Sequence, residues 1–236
     1  MIRLPLLDAT LPTHFPDPAG ALSDPNGLLA FGGDLSPQRL LAAYAQGIFP
    51  WFNEGEPILW WSPDPRCVFR TSEVRINRSL RRQLAGKSWR VSVDSAFCDV
   101  VDACAAPRPG QPGTWISPAM VEAYIALHRQ GHAHSVEVWD GPRLIGGIYG
   151  VAVGKLFCGE SMFSRESGGS KLALVALARL LHAWDFPLLD AQVTNPHLLS
   201  LGAVELPRTL FLHSAARLCN LPGVVGNWSA LSPPLP

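Results

Sequence analysis

Two apolar segments on either side of a helix constrain this chain more than anything else in it. Leu156-Phe-Cys-Gly-Glu160-Ser-Met-Phe-Ser-Arg165 has the composition of a buried strand, yet it carries one acid, Glu160, among Phe157, Met162 and Phe163. The turn Ser167-Gly-Gly-Ser170-Lys171 then opens a helix built on Leu172, Leu174, Val175, Leu177, Ala178 and Leu181. Beyond it, Leu188-Leu-Asp190-Ala-Gln192-Val again sets polar side chains two apart in an apolar strand. Strand residues two apart share a face. The spacing therefore predicts Asp190 and Gln192 in one pocket, with Ala191 on the opposite face. A crossover helix of this length lets the second strand lie near the first. An unpaired buried carboxylate is costly enough that it has a partner or a task.

At 236 residues, 47% apolar and 16% charged, the chain has enough material for a sizeable core and is not disordered. Lysine plus arginine equals aspartate plus glutamate, 19 each, so any basic surface must be local. The N-terminus shows no signal-peptide h-region, and the longest apolar runs are too short to span a bilayer. Five cysteines without a CxxC pair read as reduced thiols in a cytosolic protein, Cys158 among them as an inert buried thiol.

Residues 1–30 read as loop. Ser36-Pro37 predicts a helix start with Gly47 just past its end and Leu40, Leu41 and Tyr44 on one face. The segment from Ile48 to Trp61 packs aromatics between prolines, a poor helix and a poor strand. It reads as the core of a small module, although a ring held on a loop can also stack on a nucleobase. The Pro-rich segment 62–65 is the expected boundary between a small N-terminal domain, 1–64, and a larger domain, 65–236. Ser117-Pro118 opens a second helix that Gly131 ends, with Met120, Val121, Tyr124 and Leu127 inward. A hairpin turning at Asp140-Gly141 and a third strand at 155–163 follow. Helix, strand, strand, strand, helix, strand implies an α/β (α+β) domain: a mixed sheet flanked by helices, the layout of N-acetyltransferase-like (GNAT-like) folds.

Residues 75–90 contain six basic side chains, Arg75, Arg78, Arg81, Arg82, Lys87 and Arg90, and no acid. Such a run is either a solvated helix face or a contact for phosphates. His128, His132 and His134 lack metal-site spacing and read as caps and packing groups, so no metal is expected. The run from Arg165 to Ser170 only approximates a pyrophosphate turn.

Several stretches carry a resemblance. They are Gly27-Leu-Leu-Ala-Phe-Gly-Gly-Asp-Leu-Ser36, Gly47-Ile-Phe-Pro-Trp-Phe52, Leu59-Trp-Trp-Ser-Pro-Asp-Pro-Arg66, Gly113-Thr-Trp115, Gly131-His-Ala-His-Ser-Val-Glu-Val-Trp139 and Phe157-Cys-Gly-Glu-Ser-Met-Phe-Ser-Arg165. In order, and without large gaps, the chain resembles the leucyl/phenylalanyl-tRNA–protein transferases. The resemblance implies transfer of Leu or Phe, and also Met, from aminoacyl-tRNA to the α-amino group of proteins beginning with Arg or Lys, marking them for degradation. It implies an acetyltransferase-like domain that uses no coenzyme A or other cofactor. The chain is expected to be a cytoplasmic monomer without membrane or DNA partners.

It also implies roles. Trp51 and Trp115, with Tyr44 nearby, would hold the terminal adenosine. Ile148, Phe157, Met162, Leu174, Leu177 and Leu189 would line the pocket for the aminoacyl side chain. Arg75, Arg78, Arg81, Arg82 and Lys87 would meet the tRNA body. Glu160, Asp190 and Gln192 would form the reaction centre. From the chemistry of these side chains the expectation is that Gln192 accepts a hydrogen bond from the attacking amine, Asp190 orients Gln192 and stabilises the developing charge, and Glu160 positions the aminoacyl amine or the cationic acceptor. A coenzyme A-dependent acetyltransferase would have no use for the two tryptophans. A non-catalytic tRNA-binding module would leave the three polar strand residues unexplained.

Overall fold

The computed structural model describes residues 4–74, 78–107 and 114–230. Arg75 and Ile76 of the basic run, and Gly113 before Trp115, lie outside the described residues.

The first part of the chain forms a four-stranded sheet. In chain order it contains β1 (Leu6–Leu7), β2 (Leu28–Gly32), helix α1 (Pro37–Ala45), β3 (Phe49–Pro50) and β4 (Leu59–Trp61), with strand order β1-β2-β4-β3. Helix α1 starts where the sequence predicts, the Ser36 hydroxyl accepting the Arg39 N–H with Pro37 in the first turn. The proline-broken aromatic stretch, unpromising as a strand, nevertheless supplies β3 and β4. Both are very short, and Pro50 is tolerated because β3 lies at the sheet edge. Residues 1–30 are likewise not all loop, since β1 pairs in parallel with β2.

The rest runs β5 (Arg66–Arg70), α2 (Arg78–Leu84), β6 (Arg90–Val93), α3 (Phe97–Ala105), α4 (Pro118–Arg129), β7 (Ala133–Asp140), β8 (Arg143–Val153), β9 (Leu156–Ser164), α5 (Gly169–Ala183), β10 (Leu188–Gln192), α6 (Pro196–Ser200), β11 (Val204–Leu206) and α7 (Arg208–Cys219). Its strands form a seven-stranded sheet in the order β11-β5-β10-β9-β8-β7-β6. Among the described residues of this sheet only β9 and β10 pair in parallel, joined by the crossover helix α5, so the sheet is mixed as expected. The hairpin β7–β8 turns where Asp140 pairs with Arg143.

Helix α5 is buried almost all round and packs with Phe157, Ile148 and Leu189 on one side of the sheet. On the other side a single apolar cluster joins Phe97, Tyr124, Leu156 and Cys158 to Tyr44, Ile48 and Trp60. The sheets change at residues 62–65, but the core runs through. Among the described residues no helix is long and apolar enough to cross a membrane.

The feature that shapes the site is a bulge. Between β8 and β9 the register shifts where Gly150 pairs with Gly159 and Tyr149 with Ser161, leaving Glu160 opposite no single partner. Before the bulge Phe157 faces the α5 side and Cys158 the other; after it Met162 packs with the α5 cluster and Phe163 with the other. One extra residue inverts the alternation, as bulges do. Glycine at position 150 is required, because a Cβ there would lie 2.2 Å from the Cys158 carbonyl oxygen.

Candidate functional site

A second irregularity sits beside the first. The pairing of β10 with β5 shifts between Asp190 and Gln192, and Gln192 has a left-handed backbone, φ 63°. The expectation that Asp190 and Gln192 share a pocket with Ala191 opposite is therefore overturned. Ala191 and Gln192 face the cavity, whereas Asp190 turns away into the core, with no exposed surface. Strict alternation fails here because a strand ending in a bulge no longer keeps its period.

Asp190 has a partner. Its Oδ1 and Oδ2 accept the Nε–H and Nη2–H of Arg66, at 2.8 and 2.7 Å, a bidentate pair buried on both sides. Asp190 Oδ1 also accepts the backbone N–H of Gln192 at 3.0 Å. It thus holds the strained backbone of Gln192; the amide side chain is held elsewhere.

That second anchor is Glu160. The Gln192 Nε2–H donates to Glu160 Oε1 at 2.9 Å, and the Tyr124 hydroxyl donates to Glu160 Oε2 at 2.5 Å. Behind Tyr124 lies Tyr44, hydroxyl to hydroxyl at 3.1 Å. With its nitrogen committed to Glu160, the Gln192 amide offers its carbonyl oxygen to a ligand as acceptor.

Burial pushes the Glu160 carboxyl up to about 7; the Tyr124, Tyr44 and Gln192 donors pull it back, and Asp190 pushes it further up. Burial, with the nearby Glu160 charge, raises both tyrosines well above the usual phenol range, so they remain neutral donors. Glu160 is the one carboxyl of this network with no cationic hydrogen-bond partner among the described residues.

Two cavities meet at Glu160. The smaller, about 90 Å³, is lined by Phe69, Ile148, Met162, Leu174, Leu189 and Leu198, with Glu160 and Ala191 at its edge. The larger, about 590 Å³, is lined by Phe49, Pro50, Trp51 and Trp115 and by Gln192, Val193, Asn195 and His197. Glu160, Ser161, Met162, Ala191 and Leu198 line both. A cavity of about 680 Å³ at the opposite end of β10, beside Arg70, Leu188 and Arg217, contains none of this network.

The structure places the anticipated residues unevenly. Ile148, Met162, Leu174 and Leu189 line the small cavity, while Phe157 and Leu177 are buried in the layer behind it, outside its lining. Trp51 is 43% exposed, and its backbone carbonyl accepts the Trp61 indole N–H. Tyr44, at 1% exposure, presents no ring face to the cleft; it joins the network of Tyr124 and Glu160 instead.

Arg78, Arg81 and Arg82 are exposed on α2 around a surface hollow, with Leu80 buried beneath. Lys87 lies past the helix end over the Trp89 ring. Two of the three histidines pack: His134 stacks on Trp228 and meets Asp94 at 2.9 Å, and His128 stacks on Phe97. Among the described residues no cluster suits a metal ion.

Reading by sequence alone misses two members of the network. It places Tyr124 only on the inner face of a helix, and Arg66 only at the end of a motif. Arg66 opens the apolar strand Arg66-Cys-Val-Phe, and a charge entering a buried strand asks for a counter-charge.

The family models and the most similar sequences agree with one another. A family model described as leucyl/phenylalanyl-tRNA protein transferase matches residues 68–216, and one described as that transferase's N-terminal domain matches 33–64. A protein of Xanthomonas euvesicatoria pv. vesicatoria (strain 85-10) described as a leucyl/phenylalanyl-tRNA–protein transferase is 63% identical over 229 residues, covering 97% of this chain and 92% of its own. A protein of Xylella fastidiosa (strain M23) with the same description is 57% identical over 227 residues, covering 96% and 93%.

Proposed function

The chain belongs to the leucyl/phenylalanyl-tRNA–protein transferase family, and we propose that its transfer of Leu or Phe takes place where the two cavities meet. In this reading the small apolar cavity takes the aminoacyl side chain. The cleft lined by Trp51 and Trp115 takes the terminal adenosine and the amine of the acceptor. The single observation that carries it is the position of Glu160 and Gln192: one joined pair of polar groups borders both an apolar cavity and a tryptophan-walled cleft.

Aminolysis of an ester forms one C–N bond and breaks one C–O bond. The amine gives up a proton and the departing ribose oxygen gains one. The ester is already activated, so most of the task is to hold amine and carbonyl in register. An α-amino group with a pKa near ~8 is partly neutral without a strong base. The Gln192 carbonyl oxygen accepts a hydrogen bond from that amine, aims its lone pair and takes up positive charge as the bond forms. Glu160 fixes which end of the amide faces the substrate. Asp190 acts on the backbone of Gln192 and is a positioning residue.

The acceptors are proteins beginning with Arg or Lys, and the modified N-terminus serves as a degradation signal. The exposed arginines of α2, continued by Arg75 and Lys87, meet the tRNA body. The larger domain is acetyltransferase-like, begins near residue 65, and works in the cytoplasm without coenzyme A.

The test is transfer of radiolabelled Leu and Phe from their tRNAs to a peptide beginning with Arg, beside an N-acetylated peptide and a Gln192→Ala variant. Label is expected only on the free-amine peptide, falling by at least about 100-fold in the variant. Equal transfer by the variant would remove Gln192 from the reaction. Label on the acetylated peptide would remove the α-amine as acceptor.

A further inference from the structure

Arg66 lines neither cavity, yet its guanidinium touches the supports of two segments that line the cleft, Phe49–Trp51 and Gln192. On one side Nε and Nη2 grip Asp190, whose Oδ1 also holds the Gln192 N–H. On the other, Nη1 donates to the Gly47 carbonyl at 3.0 Å. Gly47 ends α1 and leads within four residues to Trp51, and the guanidinium lies 4.8 Å from the Phe49 ring between them. Phe211 of α7 covers it from another side at 4.5 Å. Phe49 and Pro50 wall the cleft beside Trp51.

We propose that Arg66 is a positioning residue that sets the separation between the Phe49–Trp51 wall and the Gln192 bulge, and so between the ester donor and the amine. The proposal rests on the reading of the cleft given above. The chemistry demands arginine. Three N–H groups of one planar fork serve three acceptor atoms on two elements, and a lysine ammonium on a flexible stem would not keep that geometry. A guanidinium clamped between two aromatic rings and a bidentate carboxylate has little room to shift. Reactant geometry is where small displacements cost most; an error of about 1 Å can cost ~100-fold in rate.

The experiment separates positioning from mere structure. Replacing a buried ion pair by apolar side chains of similar volume is often neutral or stabilising. Arg66→Met/Asp190→Leu should therefore keep its melting temperature while losing the Asp190 acceptor and the Gly47 tie. Arg66→Lys keeps the charge and serves where the double variant does not fold. For each, the single-turnover rate from saturating Leu-tRNA to an Arg peptide is measured beside tRNA affinity and the melting curve.

The expected result is a rate about 100-fold down with tRNA affinity within about twofold of wild type. Arg66→Lys/Gln192→Ala should be no slower than Gln192→Ala alone, because the arginine acts through Gln192. A folded variant with wild-type turnover would overturn the proposal. So would a loss confined to tRNA affinity, or full additivity with Gln192→Ala. Failure of wild-type protein to transfer would instead refute the underlying reading of the cleft.

Discussion

Glu160→Gln removes one charge and leaves the side chain's shape, and the network dictates two separate consequences. The new amide can still accept the Tyr124 hydroxyl with its oxygen, which turns its nitrogen toward Gln192. Two amide nitrogens cannot hydrogen-bond each other, so Gln192 must flip and present N–H rather than C=O to the cleft. The amine then meets a donor where it needs an acceptor, and transfer should fall about 100-fold. The second consequence concerns stability. Glu160 ionises at about 7 in the folded protein against an ordinary 4.5, because burial disfavours its charge.

Below 4.5 both states hold the proton and nothing is lost. From 4.5 to about 7 the unfolded chain ionises and the folded one does not, so this group's contribution falls as pH rises, and stays low above 7. Full ionisation corresponds to about 3 kcal/mol, reduced toward ~1–2 kcal/mol because part of the residue meets solvent in the cleft. Glu160→Gln abolishes that dependence. Melting temperatures of variant and wild type should draw apart from about pH 5 to about pH 8 by a few degrees, the variant becoming relatively more stable as it loses activity. The exchange Glu160→Gln/Gln192→Glu returns an acceptor to the cleft and should recover part of the rate. Parallel melting curves across that pH range would refute the buried-acid argument, and an active Glu160→Gln would refute the flip.

Asp190→Ala strands the Arg66 charge in the core and should destabilise the fold by about 3–5 kcal/mol, read by urea unfolding. Leu174→Ala or Ile148→Ala enlarges the small cavity and should shift the ratio of Phe to Leu transfer in favour of Phe. The change should lie within the roughly 10–200-fold that a methylene or so commands in an apolar pocket; competition between the two charged tRNAs measures it. Replacing Arg78, Arg81 and Arg82 by Ala should weaken tRNA binding and lower its salt slope by about one for each phosphate no longer neutralised. Transfer from a minimal aminoacyl-adenosine donor should be unaffected.

The frame of this fold was legible because α4, the β7–β8 hairpin, β9, α5 and β10 announce themselves by caps, a two-residue turn and apolar periodicity. The site's polarity was legible too: Glu160, Asp190 and Gln192 are the polar interruptions of apolar strands. Their facing was not. Both strands break period at the residues in question, and a reading by alternation puts Asp190 in the cavity and Ala191 out of it. A partial signal existed. Gly150 and Gly159 are strand glycines, and such glycines often mark bulges or close backbone approach. Tyr44 and Tyr124 were indistinguishable from core residues because they are core residues, whose hydroxyls happen to end at one carboxylate.

The two carboxylates of the site receive opposite treatment, and that contrast is the strongest argument about how it works. Asp190 is matched by a guanidinium and spends both oxygens on fixed partners, so it suits the task of holding a left-handed backbone still. Glu160 receives only neutral donors, from Tyr124, Tyr44 and Gln192, in a buried place that raises its ionisation to about 7. Were the carboxylate of Glu160 locked to an arginine, it would draw a cationic acceptor less readily, since its charge would already be compensated. An acid with only phenols and an amide around it becomes more readily charged when a cationic group of the acceptor other than the neutral attacking amine enters, because the newcomer supplies the missing counter-charge. Binding of the acceptor would then itself ionise Glu160 and strengthen its grip on the Gln192 amide. The catalytic acceptor would thus be aligned most firmly when the nucleophile is present.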